Sequence, residues 1–229
     1  MMSEHRESGI SIQVSLSGYS FKVRQPDGSV QHSGWMGPDR IFTTPEFQRR
    51  YGSVEISLLT RKCALVPAHF FDPAEARQAL SEVVKLRETD VVEHVAVPSA
   101  GAVLIYSNSM DESLSRAISQ TVYTVSGGQA RILPELYYIL EELQDCPEYN
   151  KILCSYMDGW LHIAVAQGKS LMLANVFEAA DFTTAEYFIF LVMKKLQLNP
   201  EVSTVCFRTP LLPEQEMSLY RYFKAVEIL

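Results

Sequence analysis

Four cysteines and five histidines are the residues of this 229-residue chain best suited to metal or nucleophile chemistry, and their spacing supports neither. Cys63, Cys146, Cys154 and Cys206 are far apart, with no Cys-x-x-Cys pair and no compact framework. Cys154 and Cys206 stand in apolar, strand-like runs, so the four read as buried thiols of a protein in a reducing compartment. His5, His32, His69, His94 and His162 are scattered, and none stands four residues from another or three from a cysteine, the spacings that gather zinc ligands. Glu141, Glu142 and Asp145 form an acidic helix end, but adjacent residues on a helix point in different directions and no acid–base partner accompanies them. A solvated face is expected there. Asp111-Glu112 opens a helix and Lys194-Lys195 closes one, placements that the helix dipole favours without any catalytic role. Arg49-Arg50 and Arg61-Lys62 are basic pairs with nothing nearby that makes them an anion site. The chain has no Gly-x-Ser-x-Gly, His-Glu-x-x-His, Gly-x-x-x-x-Gly-Lys-Ser/Thr or Gly-x-Gly-x-x-Gly. No residue is therefore assigned as catalytic, and none as a metal ligand.

Composition narrows the partners. The chain is 47% hydrophobic and 21% charged, values of an ordinary globular protein, and the length falls between one domain and two. Twenty Lys+Arg against twenty-seven Asp+Glu leave a net charge of −7 with no basic run, which argues against nucleic acid. The N-terminus is polar and of mixed charge rather than a signal core, and the most apolar segment, Tyr187 to Met193, is far short of the roughly 18–20 residues that span a bilayer. A cytoplasmic protein without a membrane span is expected. The tyrosines and phenylalanines around Tyr137, Tyr187 and Tyr220 read as core or as contact with a protein partner, either a different protein or a second copy.

The elements that would position any site follow from periodicity. Ile10, Ile12, Val14 and Leu16 alternate, Ser17-Gly18 breaks the run, and Tyr19, Phe21 and Val23 resume it as a hairpin. Pro26-Asp27-Gly28 turns the chain into a third strand from Val30 to Met36. A short helix from Pro45 to Tyr51, strands at Val54–Leu59 and Cys63–Val66, and a helix from Ala74 to Leu86 capped by Asp72-Pro73 come next. Strands Val91–Val97 and Ala102–Tyr106 precede a helix from Asp111 to Val122. After Gly127-Gly128 a second helix carries Leu133, Leu136, Ile139, Leu140 and Leu143. From Lys151 the opening order recurs. Three strands joined by turns at Asp158-Gly159 and Gly168-Lys169 lead to a helix, Thr183 to Leu198, capped by Asp181. Strand Val202–Phe207, a helix from Pro213 to Phe223 and strand Ala225–Leu229 complete the order β-β-β-α-β-α-β. An end inside a strand-like run suggests that the chain continues beyond Leu229.

A three-stranded meander followed by alternating helices and strands, given twice, resembles the ribonuclease H-like unit as duplicated in the actin-like ATPase superfamily. Through Ser15-Leu16-Ser17-Gly18-Tyr19-Ser20-Phe21 and Leu65-Val66-Pro67-Ala68-His69-Phe70-Phe71 the chain is similar to a bacterial family of unknown function assigned to that superfamily. It resembles the pilus-assembly actin-like proteins more distantly, in element order. The resemblance implies an α/β fold of two ribonuclease H-like units, each with a mixed five-stranded sheet and helices. Residues 1–110 would form the first unit, 111–149 a helical connector and 150–229 the second unit.

The same resemblance implies where ATP and its magnesium would bind, because phosphates in this superfamily sit on hairpin turns with a carboxylate nearby. Ser15, Ser17 and Gly18 in the first hairpin and Asp158 and Gly159 in the second are the matching positions. The first turn lacks the carboxylate. The second has Asp158-Gly159 but is followed by Trp160 and Leu161 instead of further Gly, Ser or Thr, and Asp-Gly is equally the preferred pair of a type I′ turn. The adenosine-binding Gly-Gly expected near the C-terminal end is missing. The leading expectation is a non-catalytic interaction or scaffold protein with a degenerate nucleotide site and no cofactor. The alternative is an ATPase with an atypical phosphate loop made by those five residues. A ribonuclease H-type nuclease is a third possibility, and Ser15 and Ser17 stand where its first carboxylate would lie.

Overall fold

Ile10, Ile12 and Val14 place one buried apolar face on β1 (Gly9–Val14), and Tyr19, Phe21 and Val23 do the same on β2 (Tyr19–Arg24). The strands pair antiparallel with Val14 opposite Tyr19, and Leu16 falls in the turn instead of continuing the alternation. The computed structural model describes residues 8–108, 123–124, 127 and 130–229. β3 (Val30–His32) is shorter than the run to Met36, because Ser33 Oγ, not a main-chain carbonyl, accepts from the Phe21 N–H at 2.8 Å. One further bridge joins Met36 to Tyr19. The short helix expected after Pro45 is a 3₁₀ turn, Pro45–Gln48, followed by β4 (Arg50–Tyr51) and β5 (Ser53–Leu58).

β6 (Cys63–Pro67) precedes a cap in which Asp72 Oδ1 accepts from the Ala74 N–H at 2.9 Å. A 3₁₀ turn over Pro73–Glu75 leads into α1 (Ala76–Val83), so the helix is shorter at both ends than its run of helix formers. β7 (Val92–Val97) and β8 (Ala102–Ser107) are the two strands around the Pro98–Ala100 turn. The helix expected at Asp111–Val122 lies outside the described residues. β9 (Tyr123–Thr124) pairs parallel with β4. β10 (Ile132–Pro134) takes Leu133 into a strand, and α2 (Glu135–Glu142) begins only after Pro134, whose extended ψ of 146° and missing N–H set the helix start.

β11 (Asn150–Met157), β12 (Trp160–Gln167) and β13 (Ser170–Glu178) form the second meander. α3 (Phe182–Lys195) follows, with Asp181 Oδ1 accepting from the Thr184 N–H at 2.7 Å, a cap of about 1 kcal/mol. β14 (Thr204–Phe207), α4 (Pro213–Leu219) and β15 (Ala225–Ile228) complete the chain.

Two five-stranded sheets result, ordered β10-β5-β1-β2-β3 and β13-β12-β11-β14-β15. Each places a meander's third strand at one edge and its first strand beside a parallel neighbour, β5 or β14. The fold is therefore α/β with the sheet order given twice. The first sheet belongs to a compact unit drawn from the described parts of Met1–Leu59, Glu88–Val91 and Asn108–Leu133. Its core gathers Ile12, Val14, Tyr19, Phe21, Phe47 and Ile56, with the Phe47 ring 5.2 Å from Tyr19 and 5.6 Å from Phe21.

The other unit comprises Thr60–Arg87, Val92–Ser107 and Pro134–Leu229. One face of its large sheet, with Ile152, Cys154, Ile163 and Phe207, is covered by Ile189 and Val192 of α3 and Leu219 of α4. The opposite face, with Leu153, Ala164 and Cys206, meets Leu136, Ile139 and Leu140 of α2, which also packs on Val97 and Leu104 of the three-stranded sheet β6-β8-β7. α1 closes the far side of that small sheet through Ala76 and Leu80. Each fully buried Ile or Leu contributes about 1.5–3 kcal/mol.

Candidate functional site

The first hairpin turn is held by its own side chains. The Ser15 N–H donates to the Gly18 carbonyl at 2.9 Å, and the Ser17 N–H donates to Ser15 Oγ at 3.1 Å, with the two hydroxyls 3.0 Å apart. Ser15 is buried, while Leu16 at the tip is 67% exposed. Gly18 has a steric reason to be glycine: a Cβ there would lie 2.1 Å from the Met36 carbonyl oxygen. That contact comes from the bridge in which the Tyr19 N–H donates to Met36 O at 2.9 Å and the Met36 N–H returns to Tyr19 O at 2.8 Å. The turn thus presents an apolar side chain to its surroundings and has the Ser15 and Ser17 N–H groups already engaged.

The second hairpin turn is built differently. Met157 and Trp160 pair across it, and Asp158 and Gly159 take φ values of 51° and 74°, both left-handed as a two-residue type I′ turn requires. The Gly159 carbonyl accepts from the Ala179 N–H at 2.8 Å, tying the turn to the end of β13. Ser15, Ser17 and Gly18 lie in the first unit and Asp158 and Gly159 in the second. Gly127, also left-handed at φ 80°, is exposed, and Gly128 lies outside the described residues.

Near the second turn stands a buried polar cluster that no local pattern announces. Ser155 of β11 and His162 of β12 face each other in the antiparallel register. Both are fully buried, and neither Ser155 Oγ nor either ring nitrogen of His162 has a hydrogen-bond partner among the described residues. On the other flank of β11, the Arg208 N–H donates to the Cys154 carbonyl at 2.8 Å, which places Arg208 next to Ser155 across the strands. The guanidinium meets Glu135 at the first turn of α2, Nη1 lying 3.1 Å from Oε2 and 3.2 Å from Oε1. Its Nε donates to Glu142 Oε1 at 2.9 Å, and its Cζ lies 4.8 Å from the centre of the Tyr138 ring. Glu142 is therefore turned onto Arg208, not simply solvated as the acidic helix end suggested.

The chemistry of this cluster is charge neutralisation. Two carboxylates converge on one guanidinium, so a cation is already supplied by the chain. Burial pushes His162 down from 6.5 to about 4, against the Glu135 carboxylate and the nearby Thr60 main chain, which lies outside hydrogen-bonding geometry. His162 is thus a neutral imidazole at pH 7. A hydroxyl and an imidazole face to face suggest a nucleophile and base, but they share no hydrogen bond and neither is exposed. Two of the cysteines are unsuited to act as nucleophiles: burial pushes Cys63 up to about 12 and raises Cys154, so neither is a thiolate at neutral pH. Among the described residues no three His, Cys, Asp or Glu side chains are grouped to hold a metal, and no helix is long and apolar enough to cross a membrane.

Residues 38–226 match a family described as "Protein of unknown function (DUF3822)". The chain belongs to that family. No curated protein matches it. Among solved structures, this member of the family is similar to a Bacteroides thetaiotaomicron VPI-5482 protein with an actin-like ATPase fold and unknown function. That likeness has a TM-score of 0.69 at 18% identity and covers 100% of this chain and 94% of the other. The PilM–PilN type IV pilus biogenesis complex gives a TM-score of 0.51 at 10% identity, over 96% and 88% of the two chains. The cytoplasmic domain of EpsL, an inner membrane component of the type II secretion system of Vibrio cholerae, gives 0.50 at 13% identity, over 90% and 83%. At these identities the likeness carries the fold: this DUF3822 protein has the actin-like ATPase fold.

Proposed function

We propose that this protein is a non-catalytic interaction or scaffold protein, an actin-like fold whose nucleotide site has degenerated. The observation that carries the reading is the first hairpin turn, where the Ser17 N–H is taken by Ser15 Oγ, no carboxylate is present and Leu16 projects 67% exposed. A phosphate-binding turn needs main-chain N–H groups directed at the anion. This turn offers an apolar tip instead. The names of two similar structures support the direction: one is the PilM–PilN pilus biogenesis complex and one a component of a type II secretion system. The buried cluster around Arg208 supports it too, because both its carboxylates are spent on a side-chain cation rather than left to hold a magnesium.

Asp158-Gly159 favours the alternative, a nucleotide-binding ATPase, since it puts one carboxylate on a hairpin turn of the second unit. Thermal unfolding with and without Mg-ATP separates the two. A ligand that binds only the folded state at about 100 times its dissociation constant adds roughly 2.7 kcal/mol of stability. The scaffold reading expects no shift at millimolar Mg-ATP; a shift that disappears in Asp158→Ala would establish the ATPase reading in its place.

A further inference from the structure

The four cysteines are free thiols, and two that stand far apart in the chain meet in the second unit. Cys206 lies on β14 and Cys146 in the loop between α2 and β11, and both side chains are buried in the cluster with Leu136, Leu153 and Ala164. The main chain brings them together. The Cys154 carbonyl accepts from the Arg208 N–H at 2.8 Å, so the carbonyl of Ile152, two residues earlier on β11, also points toward β14, where the register sets Leu153 opposite Cys206. Cys146 Sγ reaches that same Ile152 carbonyl oxygen at 4.0 Å. Lys151 holds the loop there, its ammonium donating to the main-chain carbonyls of Cys146 and Gln144.

We propose that Cys146 and Cys206 form a reversible redox site, closed to an intramolecular disulfide by a hydroperoxide. The electrostatics divide the roles between them. The Cys146 thiol donates to the Cys206 sulfur, which holds Cys206 below the ordinary thiol value against burial and Glu227, and the Lys151 ammonium acts in the same direction. Cys146 is raised by that contact and by burial, so it keeps its proton. The other two thiols are placed differently. Cys63 donates to the Thr60 carbonyl at 3.7 Å, and Cys154 faces the opposite side of the sheet with Ile152 and Phe207.

One peroxide balances the chemistry. The Cys206 thiolate attacks a peroxide oxygen, the O–O bond breaks, and with hydrogen peroxide the leaving oxygen takes up the thiol's proton as water. Cys206 is then a sulfenic acid. The Cys146 sulfur displaces its oxygen, the S–S bond forms, and the Cys146 proton leaves with that oxygen as a second water. Two thiols lose two electrons and one O–O bond gains them. Entry is through the Cys146 loop, because Cys146, 2% exposed, stands between exposed Asp145 and Pro147. The disulfide ties the end of α2 to β14, and a reducing compartment reopens it. The site needs neither nucleotide nor partner, so it stands or falls apart from the interaction reading.

The test exposes the full chain to a slight molar excess of hydrogen peroxide, unfolds it in an alkylating reagent and maps the peptides by mass spectrometry. A peptide pair linked through Cys146 and Cys206 is expected, with Cys63 and Cys154 alkylated and all four thiols recovered after dithiothreitol. Cys146→Ser, which cannot close the bond, should accumulate the Cys206 sulfenic acid, trapped by dimedone. Lys151→Met should slow disulfide formation several-fold, and the oxidised chain should melt above the reduced one. Should Cys146→Ser fail to fold, the unaltered protein decides: early dimedone adducts must fall on Cys206 before Cys63 or Cys154. Four alkylated thiols after peroxide, a disulfide between any other pair, or sulfenic acid formed first on Cys63 or Cys154 overturns the proposal.

Discussion

Arg208 Nη1 lies 3.1 Å from Glu135 Oε2, with the two side chains 6% and 0% exposed. This buried pair joins the end of β14 to the first residue of α2, and so fastens the helix that packs between the two sheets of the second unit. Removing one partner leaves the other buried and uncompensated, which costs about 3–5 kcal/mol, while replacing both by apolar groups costs far less. Arg208→Met is expected to show that loss in urea unfolding. The double variant Arg208→Met/Glu135→Leu should recover most of it, and a double variant as unstable as the single one would count against the pair.

His162 makes the second unit sensitive to acid. Its folded pKa, about 4, lies below the ordinary 6.5, so the unfolded chain binds the proton more readily. Stability is then full above pH 6.5 and is lost as pH falls toward 4, by up to about 3 kcal/mol. The Glu135 carboxylate opposes the shift, and Arg208 neutralises Glu135 in turn. Chemical denaturation from pH 7.5 to 4.5 should show this slope in the unaltered protein and a flatter one in His162→Leu; equal slopes would remove the imidazole from the account.

The two hairpin glycines are required for different reasons and should respond differently. A methyl at Gly18 would meet the Met36 carbonyl oxygen at 2.1 Å, a backbone atom that cannot swing away, whereas the nearest atom to one at Gly159 is 3.7 Å distant and only φ, at 74°, is unfavourable. Gly159→Ala is expected to cost about 1–2 kcal/mol. Gly18→Ala should cost more, through a displaced Tyr19–Met36 bridge, and thermal melts of the two variants give the comparison.

Much of this architecture is legible in the sequence where the cause is local. The alternation in β1 and β2, the Asp72 and Asp181 caps and the Asp158-Gly159 turn each depend on residues close in the chain. The structure departs from the pattern where a single residue overrules it. Leu133 fits the helical stripe of Leu136 and Leu140, yet Pro134 holds it in a strand. Ser33 shortens β3 by taking the Phe21 N–H with its hydroxyl. The Arg208 cluster is illegible for another reason: its partners are 66 and 73 residues away, and Ser155 meets His162 only through the register of β11 on β12. The sequence hint was a lone histidine in the apolar run Leu161 to Ala166 and an arginine directly after Phe207.

The central claim, that the actin-like fold here serves interaction without a working nucleotide site, is tested most directly by titrating the protein into Mg-ATP and following the phosphorus-31 resonances. With Ser17 engaged by Ser15, the account predicts lines that neither shift nor broaden at stoichiometric protein, and no inorganic phosphate on standing. Broadened β and γ resonances that sharpen again with Asp158→Ala, or phosphate released in step with protein concentration, would contradict it.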